Sequence, residues 1–386
     1  MTIRLNSSTS GYTEIDAPAV GGNNTLRLPG DNGTSGYLMQ TDGSGNLSWR
    51  DPSSLLSPYR NRIINGDMRI DQRNSGASVT PTTGTYTLDR WRAYASQTSK
   101  LTVQQNAGSI TPPTGYTNYL GVTSSSAYSI VSSDLFLLQH FIEGFNTSDL
   151  AWGTASAQSI TLSFWVRSSL TGTFGVSFQN NLGDWSYLAS YVINAANTWE
   201  QKTITVPGPS NGTWLTNNSK GIVLSFGLGV GTSSSGTEGS WSNSTYYGLT
   251  GATSVVGTNG ATFYITGVQL ETGSIATPFE RRNYGQELQL CQRYYEIIRE
   301  VAGIGYASAS VYDGVIYANF KVDKRALPTV TRISGNIINR TAGTAGPNTG
   351  NPSVIATSGV SLVIQSISGT GLVSFDSGVY TVSAEL

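Results

Sequence analysis

The sequence has few of the side chains with which proteins catalyse reactions or bind nucleic acid. Its 386 residues include one histidine, one cysteine and 12% charged residues, whereas acid-base catalysis near neutral pH relies most often on histidine. A single cysteine excludes an internal disulfide framework, and His140 with Cys291 cannot complete a structural zinc site. The formal net charge of -1 leaves no excess of Lys and Arg for a phosphate backbone, so we expect no nucleic-acid partner.

Long apolar runs are also missing. Nowhere do 18 apolar residues follow one another, and residues 1–20 hold no apolar segment of the length that a secretory signal requires. We therefore expect a soluble chain that inserts into no membrane and is not exported by a standard cleaved signal.

Glycine is abundant, with 45 residues set among many Ser, Thr and Asn. Between Tyr59 and about Arg282, apolar residues alternate with polar ones, which is the period of a half-buried strand. The clearest runs place these residues on one face: Ile160, Leu162, Phe164 and Val166; Phe174, Val176 and Phe178; and Ile222, Leu224, Phe226 and Leu228. Many strands with hardly a helical period between them predict a mainly β fold built on a two-sheet sandwich.

Two local features interrupt this alternation. The parity of the apolar residues slips by one at Gly267, which predicts a β-bulge with one extra residue. Residues 286–300 instead have apolar side chains at three- and four-residue spacing, which predicts one amphipathic helix. We expect that helix to bury Cys291 as a structural thiol, because no activating partner for it is evident.

The chain divides into four predicted segments. Residues 1–57 hold short apolar groups separated by turn pairs and cannot bury enough surface alone to offset the cost of ordering them. We expect this N-terminal segment to fold only against other copies of itself or a larger particle; a disordered tail is the alternative. A β-sandwich over residues 58–285, a connecting helix over 286–300 and a smaller C-terminal β-domain over 301–386 follow.

Several stretches carry a specific resemblance. They read GYTEIDAPAVGGNNTLRLP with YLMQTDGSGNLSW; NRIINGDMRIDQRN leading to LDRW; IEGFNTSDLAWGTASAQSITLSFWVRSS with NTWEQKTITVPG; and FYITGVQLETGSIATPFERRNYGQELQLCQRYYE. These stretches, which cover residues 11–296 in patches, resemble bacteriophage tail-fibre proteins, particularly those of cyanobacterial and environmental phages. The last is the most specific, and ANFKVDKRALPTVT resembles the start of a terminal domain in similar fibres.

The resemblance implies an adhesion device located in the tail fibre of a virion. Its expected parts are a jelly-roll sandwich similar to carbohydrate-binding modules, a homotrimeric assembly, and an N-terminus attached to tail or baseplate proteins. The expected target is a host-surface glycan. The resemblance also makes a calcium ion conceivable, but we expect no cofactor, since the acidic residues in question are spread along the chain: Asp67, Asp71, Asp89 and Glu271.

Glycan recognition needs aromatic rings for sugar C–H faces and polar side chains for hydroxyls. Two stretches have this composition, at residues 180–187 and 241–247. They supply the candidate binding residues Asn181, Asp184, Trp185, Tyr187, Trp241, Tyr246 and Tyr247. The alternative is that these aromatic side chains cover the core or form a subunit interface.

Catalysis has little support in the sequence. A glycosidase needs two carboxylates a defined distance apart, and sequence spacing cannot pair Glu143, Asp149, Asp184, Glu200 or Glu238. His140 lies in an apolar run and is expected in the core. We therefore expect a receptor-binding fibre without enzymatic activity. The alternatives are a purely structural virion fibre or decoration protein and, with least support, a glycan-degrading tailspike, whose usual β-helix repeat is missing here.

Overall fold

The computed structural model describes residues 3–6, 12–15, 25–50, 60–308, 311–312, 315–339, 344–347, 352–354, 357–363 and 371–386. These residues belong to two compact units, Met1–Pro58 and Tyr59–Leu386. Strands dominate the described residues of both units, and a single α-helix occurs among them. The predicted mainly β fold is confirmed. Within the described part of the chain, no helix combines the length and apolar character needed to cross a membrane.

The described residues of the first unit include two small antiparallel pairs, β1 (Ile3–Asn6) with β2 (Tyr12–Ile15), and β3 (Leu38–Thr41) with β4 (Leu47–Arg50). No side chain between residues 25 and 50 is buried. Several of its large apolar side chains are exposed: Leu26, Leu28, Tyr37, Leu38 and Met39. Residues 25–50 of a single chain therefore form no hydrophobic core.

The second unit begins with a β-sandwich. In chain order its strands are β5 (Thr83–Leu88), β6 (Trp91–Ala95), β7 (Leu101–Gln105), β8 (Leu120–Ser124), β9 (Leu135–Glu143), β10 (Ile160–Ser168), β11 (Gly172–Gln179), β12 (Ser186–Ile193), β13 (Glu200–Val206), β14 (Lys220–Val230), β15 (Ser235–Gly236), β16 (Trp241–Ser242), β17 (Gly248–Leu249) and β18 (Thr262–Thr272). One sheet has the order β13-β10-β18-β8-β7 and the other β16-β12-β11-β14-β9-β6-β5. Short 3-10 turns lie at Ala107–Ser109, Gly144–Asn146, Ser148–Leu150 and Thr232–Ser234.

The core between the two sheets consists of the alternating residues that the sequence singles out. Every apolar residue named above in β10, β11 and β14 is fully buried. Across the two sheets, the rings of Phe164 and Phe226 meet edge to face with centroids 5.2 Å apart. Burial of such faces is the main driving force for folding, so the period of two decides which face of each strand points inward.

His140 lies in this core, as expected. Its ring meets the fully buried Trp91 with centroids 5.1 Å apart, and its Nε2 is 3.0 Å from the carbonyl oxygen of Ile64. Burial, reinforced by the positive charge of Arg90, holds the pKa of His140 well below its usual value. The ring is therefore neutral and belongs to the packing of the sandwich.

The predicted bulge at Gly267 is confirmed. Ser163 pairs with Gln269 and Trp165 pairs with Thr266, so two residues of β18 lie opposite the single residue Phe164. Gly267 has φ +61°, and a Cβ there would lie 2.6 Å from the hydroxyl oxygen of Tyr116. Only glycine suits both the left-handed backbone and this close approach.

The helix is shorter than the sequence pattern indicates. Helix α1 (Tyr284–Gln292) ends eight residues before the predicted end at Glu300, and strand β19 (Tyr295–Ser308) follows it. The residues after the helix are rich in tyrosine and isoleucine, which favour strands, and β19 pairs with a strand near the chain's end. Cys291 is fully buried, as expected, and burial raises the pKa of its thiol well above the usual value.

The remaining strands are β20 (Val311–Tyr312), β21 (Val315–Asn319), β22 (Thr329–Asn339), β23 (Thr344–Pro347), β24 (Pro352–Val354), β25 (Gly359–Val363) and β26 (Gly371–Ser383). They form two sheets with the orders β20-β19-β26-β22-β23 and β21-β25-β24. The residues after β26 pack onto the sandwich, where Glu385 forms ion pairs with Arg73 and Arg90. Residues 59–386 belong to one unit, and the separate domain over 301–386 stays a prediction.

Candidate functional site

The fold brings the two candidate stretches together at the edge of the seven-stranded sheet. Strand β12 carries the end of the first stretch, and strand β16 carries the start of the second. In their antiparallel pairing Ser186 lies opposite Ser242 and Tyr187 opposite Trp241. The hydroxyl of Ser186 also donates a hydrogen bond of 2.7 Å to the carbonyl oxygen of Ser244. Residues more than fifty positions apart thus form one surface.

Aromatic rings fill this region. Trp152, Trp214 and Trp241 meet one another edge to face, with ring centroids 4.6 to 5.4 Å apart and planes crossing at 73° to 82°. Tyr187 packs against Trp241 with a centroid distance of 5.3 Å. We call Trp152, Trp185, Trp214, Trp241 and Tyr187 the tryptophan cluster. Perpendicular rings cannot form one flat platform, so a ligand would contact the edges of some indole rings and the face of others.

Backbone carbonyl groups hold three of the four indole rings in place. Nε1 of Trp152 donates to the carbonyl oxygen of Gln158 at 2.7 Å, Nε1 of Trp214 to that of Asn211 at 3.1 Å, and Nε1 of Trp241 to that of Pro207 at 2.6 Å. These bonds fix the ring orientations in the free protein. A site whose side chains are already ordered loses less entropy when a ligand binds.

Trp185 differs from the other three tryptophans. Its indole Nε1 makes no hydrogen bond with any of the described residues. Its ring packs beside Gly212, where a Cβ would lie 2.9 Å from the indole carbons. The turn before Trp185 is held by Asn180, whose side-chain amide donates to Asp184 at 2.6 Å and to the carbonyl oxygen of Thr213 at 3.1 Å. A half-buried indole with a free N–H donor is therefore fixed at the surface.

The predicted contact residues fall into different positions around the cluster. Asn181 is half-buried and Asp184 is exposed beside Trp185. Tyr187 is only 7% exposed and lies against Trp241 in the core. We therefore assign Tyr187 to positioning the Trp241 ring.

Tyr246 and Tyr247 are half-buried on the segment that follows β16. The carbonyl oxygen of Tyr246 accepts a hydrogen bond of 2.8 Å from the side chain of Gln179. The hydroxyl oxygen of Tyr247 lies 3.9 Å from the position that a Cβ on Gly183 would occupy, which places it against the turn before Trp185. Both tyrosines thus border the tryptophan cluster without stacking on its indole rings.

Sequence reasoning missed Trp152 and Trp214. Both are flanked by small polar residues, in Trp152-Gly153-Thr154 and Asn211-Gly212-Thr213-Trp214. This is the composition that singled out the other two stretches. The same criterion, applied to every tryptophan, would have found them.

The carboxylates considered for a glycosidase are each engaged separately. Their partners, in order, are Arg293 for Glu143, Arg62 for Asp149, Asn180 for Asp184, Lys202 for Glu200 and the backbone N–H of Ser190 for Glu238. Five different partners hold these acids. Of the five, Asp184 is the one that lies within the two candidate stretches.

The acids considered for calcium also have partners within the protein. Asp67 pairs with Arg69, Asp71 accepts from the backbone N–H groups of Asn74 and Gly76, Asp89 accepts from Gln72, and Glu271 accepts from Thr277. Among the described residues, no group of three or more His, Cys, Asp or Glu side chains is placed to hold a metal ion.

A cavity of about 260 Å³ lies elsewhere in the second unit, beside helix α1. Two of the side chains that line it are Arg62 and Arg282. Arg62 pairs with Asp149 at 2.6 Å, and Arg282 pairs with Glu287 at 3.4 Å. Because both arginines are paired with carboxylates, neither is left to bind an anionic ligand, and the tryptophan cluster is the better candidate site.

Comparisons with known proteins return distant structural similarity. No family model matches the chain, and no curated protein sequence matches it. The enzymatically active domain of tailspike protein 4 from bacteriophage CBA120 is similar over 56% of this chain and 22% of that one, with 13% identity and a TM-score of 0.28. A family 11 carbohydrate-binding module from Clostridium thermocellum is similar over 51% of this chain and 100% of that one, with 12% identity and a TM-score of 0.26. The function therefore has to follow from the site itself.

Proposed function

We propose that the tryptophan cluster binds a glycan and that the chain is a receptor-binding tail fibre without catalytic activity. The observation that carries the proposal is that three rings of the cluster are partly exposed to solvent. The half-buried rings of Trp214 and Trp241 are in contact, the half-buried ring of Trp185 lies with Trp214 beside Gly212, and the indole N–H of Trp185 makes no hydrogen bond with a described residue. Sugars combine apolar C–H faces with hydroxyl groups, so they match a surface that offers rings and hydrogen-bonding groups side by side.

Polar side chains around the rings support a sugar ligand over a protein partner. Most exposed side chains on the loops that carry the cluster are polar, among them Asp184, Asn211 and Asn243, and Leu182 is the one large apolar side chain exposed there. Short amide, hydroxyl and carboxylate side chains can exchange their hydrogen bonds with water for hydrogen bonds with sugar hydroxyls. A stable protein interface, in contrast, has an apolar centre depleted in such groups.

The virion context rests on the sequence resemblance to phage tail fibres. On that basis the N-terminal unit attaches to tail or baseplate proteins, and the β-sandwich faces the host. The purely structural fibre or decoration protein remains the second candidate, and the glycan-degrading tailspike the third. One set of measurements separates the three.

Under the proposal, the purified full-length chain binds intact host cells and blocks infection, and it releases no reducing sugar from host-surface polysaccharide. Cell binding is measured by flow cytometry and hydrolysis by a reducing-end assay. An intact, folded protein that neither binds cells nor blocks infection favours the architectural role. Release of reducing sugar rejects the non-enzymatic assignment.

The resemblance to tail fibres implies a homotrimer, and the absence of any buried side chain at residues 25–50 in one copy supports assembly through this segment. Replacing Leu26 and Leu28, which are 67% and 74% exposed, with Ser then shifts the full chain toward monomer in analytical ultracentrifugation at micromolar concentration. The matched control is Leu327→Ser, since Leu327 is 66% exposed but lies in the second unit. A folded wild-type monomer at that concentration would contradict the expectation.

A further inference from the structure

We infer that the ligand of the tryptophan cluster is an uncharged glycan, and that glycans carrying carboxylate or phosphate groups at the contact are excluded. The inference rests on the proposed function and adds the substrate class. It follows from the charges that surround the cluster.

The segments that form the site carry no positive charge. Residues 152–158, 180–187, 207–214 and 241–247 contain no Lys, Arg or His, and Asp184 is their single acid. Proteins recognise carboxylates and phosphates mainly through charge-assisted hydrogen bonds from Arg and Lys. Without such donors, an anionic sugar would lose hydration and gain no ionic partner.

Basic side chains on the sandwich strands have their partners elsewhere. Nη1 of Arg92 donates to Gln139 at 2.6 Å, Nε of Arg167 to the carbonyl oxygen of Asn197 at 2.9 Å, and Nζ of Lys202 to Glu200 at 2.6 Å. Nζ of Lys220 lies 4.4 Å from the centre of the Phe141 ring. These are all the Lys and Arg residues of strands β5 to β18, and each is engaged with a partner outside the cluster.

Negative charge lies at the cluster instead. Asp184 is exposed and directly precedes Trp185 in the chain. A second exposed acid, Glu238, accepts a hydrogen bond of 2.7 Å from the backbone N–H of Ser190, three residues after Tyr187 on β12, and burial and then this carboxylate raise the pKa of the Tyr187 hydroxyl. An anionic ligand would meet like charges that salt only partly screens. A hydroxyl group, in contrast, can donate to Asp184 and accept from Nε1 of Trp185.

The experiment uses a glycan array of defined neutral oligosaccharides, each paired with the same oligosaccharide after oxidation of its primary hydroxyl groups to carboxylates. Full-length protein is assayed at low ionic strength, where the Debye length is about 30 Å, and at physiological ionic strength, where it is about 8 Å. At low ionic strength, we expect the neutral member of a pair to bind at least about tenfold more tightly than the oxidised member. At physiological ionic strength, the ratio of the two affinities should be smaller, because salt screens the repulsion.

Substitution of the acid tests the stated cause. In Asp184→Lys, the affinity for the oxidised oligosaccharide should come close to that for the neutral one. In Asp184→Asn, the ratio of the two affinities should also fall, but by a smaller amount. The matched control is Asp323→Asn, which removes an exposed acid outside the four segments and should leave the ratio unchanged.

The outcomes separate the inference from the proposed function. Tighter binding of oxidised glycans, lost in Trp185→Ala, would overturn the inference and leave the glycan site in place. Binding of no array member and of no host cell would overturn both. If the wild type binds the neutral oligosaccharides more tightly and Asp184→Lys reduces this preference, the result supports both the glycan site and the exclusion of anionic glycans.

Discussion

Replacing Glu385 with Gln lowers the free energy of unfolding of the second unit by about 3 to 5 kcal/mol. The carboxylate of Glu385 bridges two cations, with Oε2 paired to Nη1 of Arg90 and Oε1 2.6 Å from Nη2 of Arg73. The side chain of Arg90 is 1% exposed, and its guanidinium lies 3.6 Å from the centre of the Tyr294 ring. Neutralising Glu385 leaves two buried or nearly buried positive charges without their anion, which is more costly than losing the pair itself.

Urea unfolding of the variant and the wild type measures this change as a lower midpoint. The control is Asp149→Asn, because Asp149 pairs with Arg62 through two bonds of 2.6 and 2.8 Å yet its side chain is 63% exposed. Exposed ion pairs contribute about 0 to 1 kcal/mol. Equal midpoints for the two variants would mean that the bridge at Glu385 does not hold the C-terminal residues to the sandwich.

Trp185→Ala weakens glycan or cell binding about thirtyfold, which corresponds to the loss of about 2 kcal/mol typical of an aromatic hot spot. The substitution removes a stacking surface and the free indole donor together. Trp185→Phe retains a ring without the N–H group, so we expect an intermediate loss. Binding is measured by titration calorimetry with an array hit, or by flow cytometry on host cells.

The matched control for Trp185 is Trp199→Ala. Trp199 is also half-buried, but it packs against Tyr119 with a centroid distance of 5.7 Å, and its Nε1 donates to the carbonyl oxygen of Thr111. Trp241→Ala should also weaken binding. Because the Trp241 ring packs against Trp152 and Trp214, the thermal unfolding midpoint of this variant is compared with that of the wild type to separate lost binding from lost stability. Unchanged binding in folded Trp185→Ala and Trp241→Ala trimers would place the receptor site elsewhere.

Aromatic side chains have two different roles in this protein. At Arg90 and Arg73 the rings of Tyr294 and Tyr295 lie 3.6 Å from the guanidinium groups and hold the end of the chain in place. At the tryptophan cluster the rings are fixed by backbone carbonyls and remain partly open to solvent. The first arrangement stabilises the fold, and the second keeps an ordered surface available to a ligand.

Local sequence patterns predicted the parts of the structure that depend on near neighbours. The alternation in β10, β11 and β14 marked the buried faces, and the slip at Gly267 marked the bulge. The end of helix α1 was not predictable in this way. Tyr295 and Ile298 fit the helical spacing, yet they pair with Ser383 and Tyr380 in β26, so a long-range sheet overrode the local period.

The sequence alone determined that this chain is a β-sandwich with few titratable side chains, since hydrophobic burial acts on every second residue of a strand and is written directly in the order of residues. Only the tertiary structure decided that the stretches at 180–187 and 241–247 form one site, that Trp152 and Trp214 complete it, and that Glu385 joins Arg90 from 295 positions away. Sequence spacing does not encode distances across a sheet, because strand order and register result from the competition of all pairings in the chain.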